Sequence, residues 1–309
     1  MSVEIDYPGG VFDGGAAQLL NVLFGNSSLQ PDVELLDVAL PDRELARYGG
    51  PRFGIAGLRA AAGVADRPLT CAALKPIGLS PDEFAGLAEI FARGGIDVVK
   101  DDHGLADQPS APFEERVRAC QGALARVADA TGRRTLYVAH VSGPPDRILA
   151  QIEFATEAGA GAVMIEPMIA GLPFFHDLVR RRLEIPLLAH PALAGATRMA
   201  PDVLLGRLFR LLGADAVIFP HPGGRFRYTE DICRRLADRM REPWNGLRSA
   251  LPVPAGGMPV ERVGEIVRFY GRDVMLLLGG SLYLAGEKLG DRTREFVEAV
   301  AASASEGTP

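Results

Sequence analysis

From residue 69 onward the chain repeats one pattern: a short apolar run, a polar or Gly/Pro break, then an amphipathic stretch. The apolar runs are LTCAALKP (69–76), IDVVKDD (96–102), TLYVAHVS (135–142), AVMIEP (162–167), PLLAHP (186–191), AVIFPH (216–221), LPVPAGG (251–257) and VMLLLGG (274–280). Each has the length of a strand and is too apolar for a strand with one wet face, so the pattern predicts a buried parallel sheet. The intervening segments read as helices. SPDEFAGLAEIFARGG (80–95) opens with Ser80 as N-cap and Pro81 at the first helical position, and stops at Gly94-Gly95. DRILAQIEFATEAGAG (146–161) is a second helix of this kind. Eight strands alternating with helices predict an α/β fold, a (β/α)8 TIM barrel over residues 66–309. Residues 1–65 read as a junction segment, either part of an α+β domain or a linker. An open doubly wound sheet is the alternative, and the lack of a GxGxxG after the first strand counts against it.

The ends of these runs are polar. The first closes on Lys75 and the second, IDVVKDDHG, on Lys100, Asp101, Asp102 and His103. The next four carry His140, Glu166, His190 and His221, and the last two end in Gly256-Gly257 and Gly279-Gly280. Four of the five histidines of the chain sit at such ends. In a barrel all of these ends meet at one mouth, where active sites are built. One polar strand end is explained by solvation or a salt bridge; a converging set points to a functional site. Asp102 is a hard-oxygen ligand suited to Mg²⁺, whereas His103 suits a softer metal. An ammonium binds no cation, so Lys100 joins a metal site only as a carbamate; otherwise it pairs with Asp101 or Asp102 and nothing is bound. The glycine pairs present backbone N–H groups to a phosphate, or are simple tight turns.

Composition narrows the classes. The chain has 309 residues and a formal net charge of -6, with no basic stripe or tail, which excludes nucleic acid as the expected partner. Three widely spaced cysteines form neither a disulfide framework nor a zinc motif and suit a reducing cytoplasm. No signal-like N-terminus is present, and no apolar run reaches the ~20 residues of a membrane span. The terminal SASEGTP reads as a frayed tail.

The stretch ALKPIGLSPDEFAGLAEIFARGGIDVVKDDHGLADQPSAPFEERVRA (73–119) resembles the large chain of ribulose bisphosphate carboxylase, RuBisCO, and above all its RuBisCO-like relatives. The likeness continues through AVMIEPMIAG, PLLAHPALAGA, PVPAGGM and LLLGG, and upstream through AQLLNVLFGNSSL. The resemblance implies roles residue by residue. Lys75 takes the place of a lysine that moves a substrate proton, and His190 that of a site histidine. Lys100 matches the lysine that is carbamylated and binds Mg²⁺, with Asp102 the next ligand. His221 matches a phosphate-holding histidine, and Gly257, Gly279 and Gly280 match phosphate-binding backbone, with Gly256 beside them. Asn21 falls where the family has a substrate-contacting asparagine. The resemblance also implies a homodimer or larger homo-oligomer in which one subunit helps close the other's site.

The departures from the family bear on the chemistry. His103 stands where the family has a glutamate as third metal ligand. Pro191 and Ala194 replace an arginine and a histidine. The loop after the sixth strand, HPGGRFRYTED, lacks the lysine that orients CO2 and offers Arg225 and Arg227, either as an anion clamp or as a solvated loop. The family's N-terminal domain is nearly absent, so the chain either starts at an internal methionine of a longer protein or leaves its pocket open. These features imply a non-carboxylating enzyme that forms an enediolate or enolate on a phosphorylated ketose or oxo-sugar acid, as an enolase, isomerase or decarboxylase. The other reading is a catalytically degenerate sugar-phosphate-binding barrel.

Overall fold

In the computed structural model, which describes residues 2–305, every apolar run contains a strand. The strands are β1 (Leu69–Leu74), β2 (Val98–Asp101), β3 (Leu136–His140), β4 (Ala162–Ile165), β5 (Leu187–Ala189), β6 (Ala216–Pro220), β7 (Leu251–Ala255) and β8 (Met275–Leu278). They pair in parallel in chain order, and β8 returns to β1, so the sheet is the closed TIM barrel expected from the sequence. The helix Pro81–Arg93 starts at the predicted cap, where the Ser80 hydroxyl accepts from the Glu83 N–H and the Glu83 carboxylate accepts from the Ser80 N–H. The expected frayed tail is a helix over its first three residues, which complete Leu289–Ser305; the rest of it lies outside the described residues.

Side chains on a strand alternate between faces, and in a barrel one face lines the interior. Leu69, Cys71, Val98, Leu136, Val138, Met164, Leu188, Ile218, Val253 and Leu277 pack together as an inner core. Ala72, Leu74, Val99, Tyr137, Ala139, Val163 and Val217 belong to an outer core shared with the helices. Counting on by twos from the inner residues reaches Lys75, Lys100, Asp102, His140, Glu166, His190 and Gly279. Asp101 has the opposite parity and faces the helix layer. The charged end of IDVVKDDHG is therefore split between two environments.

The opposite end of the barrel is stoppered. Leu58 and Ala62 of the helix Gly54–Ala62 join the inner core. Its entry is fixed by Asp215, which accepts from the Phe53, Gly54 and Leu187 N–H groups at 2.6, 2.8 and 2.9 Å. Beside it Asp97 accepts two bonds from Arg67 at 2.7 Å each and one from the Thr70 N–H. Residues before β1 lie along the barrel: Leu19, Val38, Leu45 and Tyr48 are part of the outer core, and Leu35 pairs with Met199. No helix among the described residues is long and apolar enough to cross a membrane.

Candidate active site

Lys75 and Asp102 meet at the mouth, with Nζ 2.6 Å from Oδ2; the lysine side chain keeps 35% of its exposure and the aspartate 8%. Burial pushes the Asp102 carboxyl up, but Lys75, Lys100 and the Gly104 N–H together hold it below the usual carboxylate range. Asp102 Oδ1 lies 3.4 Å from His103 Nδ1. The His103 ring stacks on His190 with centroids 4.4 Å apart and planes 10° from parallel. Lys100 is buried beneath this layer, where its ammonium donates to the Asp101 carbonyl at 2.6 Å. Burial lowers its pKa from the ordinary lysine value. The structure thus gathers Lys75, Lys100, Asp102, His103 and His190 in one group.

His190 has a defined tautomer. Its Nδ1 accepts the Ala192 N–H at 3.2 Å, which leaves the hydrogen on Nε2. Burial, followed by the charges of Lys100 and His103, pushes its pKa down to about 2, so the ring is neutral. Gly279 closes the group from β8: a Cβ there would lie 3.7 Å from Lys75 Cε. Tyr283, which follows in the one-turn helix Gly280–Tyr283, accepts from the Lys75 N–H and donates to the Ala73 carbonyl, both at 3.0 Å. Its hydroxyl fixes the backbone under Lys75.

A second group stands at the ends of β6 and β7. The His221 N–H donates to the Ala255 carbonyl at 2.8 Å, and the Arg225 N–H to Gly256 at 3.0 Å. Gly256 and Gly257 have φ of +94° and +98°, a region open to glycine. The N–H groups of Gly257 and Gly279 have no protein acceptor among the described residues, as an anion-binding turn requires. Gly280 opens a helix of four residues, too short for a helix dipole to add to the attraction. His221 contacts the Tyr270 hydroxyl at 3.3 Å, and burial, then Arg262, pushes its pKa down to about 4. Arg225 and Arg227 are exposed, and the Arg225 guanidinium lies 5.6 Å from the Phe226 ring centre. Asn21 is not brought to either group: it is exposed on the helix Ala16–Phe24, which packs against Leu172–Arg180.

Three supports emerge only from the fold. Tyr283 is one. The second is a buried brace behind the site: Asp101 Oδ2 lies 3.2 Å from Arg116 Nε, and its Oδ1 accepts from the Tyr137 hydroxyl at 2.7 Å. Arg116 also donates to the Ala106 and Ala111 carbonyls at 2.9 and 2.8 Å, gripping the loop that carries Asp102 and His103. The third is a buried contact between His140 and Glu166, with Nε2 and Oε2 2.7 Å apart. The parity of β2–β4 is the signal that would have separated these groups.

As it stands, the donor set does not suit Mg²⁺. Asp102 is the one carboxylate in the group, it is already paired with an ammonium, and a second ammonium lies beneath. Among the described residues no three His, Cys, Asp or Glu side chains are grouped to hold a metal. Carbamylation of Lys100 would change the fit by turning the buried amine into an anionic oxygen ligand beside Asp102. The lowered pKa of Lys100 favours the neutral amine that reacts with CO2.

A parallel barrel with lysines, a carboxylate and a neutral imidazole at its mouth and free amides alongside belongs to the class of TIM barrels that carry their polar site at the C-terminal ends of the strands. The family model for the ribulose bisphosphate carboxylase large chain, catalytic domain, matches residues 54–293. The chain belongs to this RuBisCO large-chain family, and its relatives include RuBisCO-like proteins. It is 51% identical over 295 residues to the 5-methylthioribulose-1-phosphate isomerase of Rhodospirillum rubrum, covering 95% of this chain and 79% of that one. It is 35% identical to the 2,3-diketo-5-methylthiopentyl-1-phosphate enolase of Geobacillus thermodenitrificans, covering 91% and 70%. A crystal structure of a Rubisco-like protein from Rhodopseudomonas palustris superposes with a TM-score of 0.90 at 46% identity, covering 97% and 82%.

Proposed function

We propose that this chain is a non-carboxylating enzyme that forms an enolate or enediolate on a phosphorylated ketose or oxo-sugar acid. The observation that carries the reading is Lys75, an ammonium at the mouth held 2.6 Å from Asp102. As an ammonium it protonates carbon or oxygen; once it has given up that proton it is the base that removes one beside the carbonyl. Neutral His190 offers its Nε2–H to the oxygen on which charge develops. Gly257 and Gly279 offer amides to the phosphate, with His221 alongside. Isomerisation, enolisation and decarboxylation share this enolate, and the names of the two relatives support the first two. Carboxylation lacks support: the loop after β6 has no lysine, and Pro191 follows His190. The test is solvent-deuterium uptake beside the carbonyl of D-ribulose 1-phosphate; binding without exchange or turnover marks a binding barrel instead.

Mg²⁺ held by carbamylated Lys100 and Asp102, with His103 beside them, would supply Lewis-acid stabilisation of the enolate oxygen. Chelation in CO2-depleted buffer is expected to lower activity, and Mg²⁺ with bicarbonate to restore it. Full activity with both withheld removes the carbamate from the reading.

Arg225 and Arg227 lie on the exposed loop after β6, where the Arg225 side chain approaches Gly257, and a guanidinium can grip an oxyanion bidentately. If one is a clamp, its alanine variant loses roughly 2–4 kcal/mol of substrate binding. Losses within about 0.5 kcal/mol for both, read by titration calorimetry, mark a surface loop.

The rim argues for a homo-oligomer. Ile77, Ile169, Leu193, Phe226 and Leu284, from five loops around the mouth, are all more than half exposed, a ring that a second copy would cover. Sedimentation is expected to show a dimer or larger species at micromolar concentration; a monomer there removes this assembly.

A further inference from the structure

His140 and Glu166 end β3 and β4 on the inward parity, with side chains 2% and 5% exposed and Nε2 2.7 Å from Oε2. The partners of the imidazole fix its hydrogens. Its Nδ1 contacts the Leu105 carbonyl, which can only accept, so Nδ1 carries a hydrogen. A contact of 2.7 Å between Nε2 and a carboxyl oxygen needs one further proton between them. The pair is then imidazolium with carboxylate, or imidazole with carboxylic acid. In both forms Oε2 is engaged and Oε1 is left as an acceptor, a carboxylate oxygen in the first and a carbonyl oxygen in the second.

Oε1 has no protein partner among the described residues, and it is not among the sealed unpartnered atoms. Glu166 follows Met164 of the inner core by two residues, so it stands on the mouth side of the packed interior. The register of β4 against β5, Ile165 opposite Ala189 with the His190 N–H donating to the Ile165 carbonyl at 2.9 Å, sets Glu166 beside His190 on the next inward position. The acceptor therefore borders the space beside the proposed proton-transfer group.

We infer that Glu166 Oε1, held by His140, recognises a substrate hydroxyl, and that the ligand is a hydroxyketose phosphate and not a dicarbonyl phosphate. A hydroxyl next to the carbonyl donates to Oε1. A carbonyl oxygen in its place would face an acceptor with no hydrogen between them, leaving both unsatisfied. The inference rests on the enolisation reading and narrows its substrate.

The test titrates D-ribulose 1-phosphate and its 3-deoxy analogue into wild type, Glu166→Ala and Glu166→Gln. Glutamine turns its amide N–H on His140 Nε2 and keeps a carbonyl oxygen at Oε1. Wild type is expected to prefer the hydroxylated ligand by at least about ten-fold. Glu166→Ala should erase that preference by weakening the hydroxylated ligand alone, and Glu166→Gln should retain most of it. Equal loss of both ligands in Glu166→Ala, or a preference that survives it, overturns the inference and leaves the enolisation reading standing. If Glu166→Ala does not fold, wild type and Glu166→Gln decide: no preference in wild type, or a preference lost in the glutamine variant, overturns the inference. Wild type that binds neither ligand overturns both readings.

Discussion

A Lys75→Met variant is expected to lose deuterium exchange beside the carbonyl of D-ribulose 1-phosphate by roughly 10²–10⁴-fold, the usual contribution of a positioned acid–base group. Methionine keeps the stem that lies against Gly279 and removes only the ammonium. Two observations place the effect on chemistry: the ammonium is fixed 2.6 Å from Asp102, and the Tyr283 hydroxyl pins the backbone N–H of Lys75 at 3.0 Å. The change should fall on kcat more than on KM, because the proposed phosphate contacts lie on β6, β7 and β8. Exchange within about three-fold of wild type, in a variant with an unchanged circular dichroism spectrum, would remove Lys75 from the mechanism. Asp102 loses its main cation in this variant, so the comparison belongs well below the variant's Tm.

Arg116→Ala should be the most destabilising single change around the site, costing about 3–5 kcal/mol by denaturant titration with the m-value unchanged. Arg116 and Asp101 are both fully buried and 3.2 Å apart. Removing the guanidinium strands a carboxylate inside the protein and frees the Ala106 and Ala111 carbonyls at once. The Tyr137 hydroxyl and the His140 N–H, at 2.7 and 3.0 Å, still hold Asp101. Those two bonds keep the cost near this range and below that of a bare buried charge. A loss under about 1 kcal/mol would show that the brace is redundant.

The barrel was legible because its strands are buried on both faces and its helices are capped in the sequence itself, as Ser80 and Gly94 show. The mouth was legible because polar residues interrupt apolar runs at corresponding points. What sequence could not supply was direction. Lys100, Asp101 and Asp102 read as one charged cluster, yet alternation sends the first and last inward and Asp101 outward to Arg116. Tyr283 carried no signal, since its role is two bonds to the backbone of a strand more than 200 residues away. His140 and Glu166 were noted as strand ends, but their pairing depends on the register of β3 against β4. Asn21 differs again: the motif match gives it a substrate contact, and within one chain it lies exposed on the helix Ala16–Phe24, away from the chain's own mouth.

The helix Gly54–Ala62 has a kinetic consequence. A barrel whose interior is filled by side chains and whose base this helix covers has a single doorway, so whatever enters at the mouth must leave by it. Product and substrate then compete for the same empty protein, and product inhibition is competitive by construction. A neighbouring subunit seated on the apolar rim would act on arrival and departure alike, so strengthening that contact would slow release as much as it shielded the reaction from water.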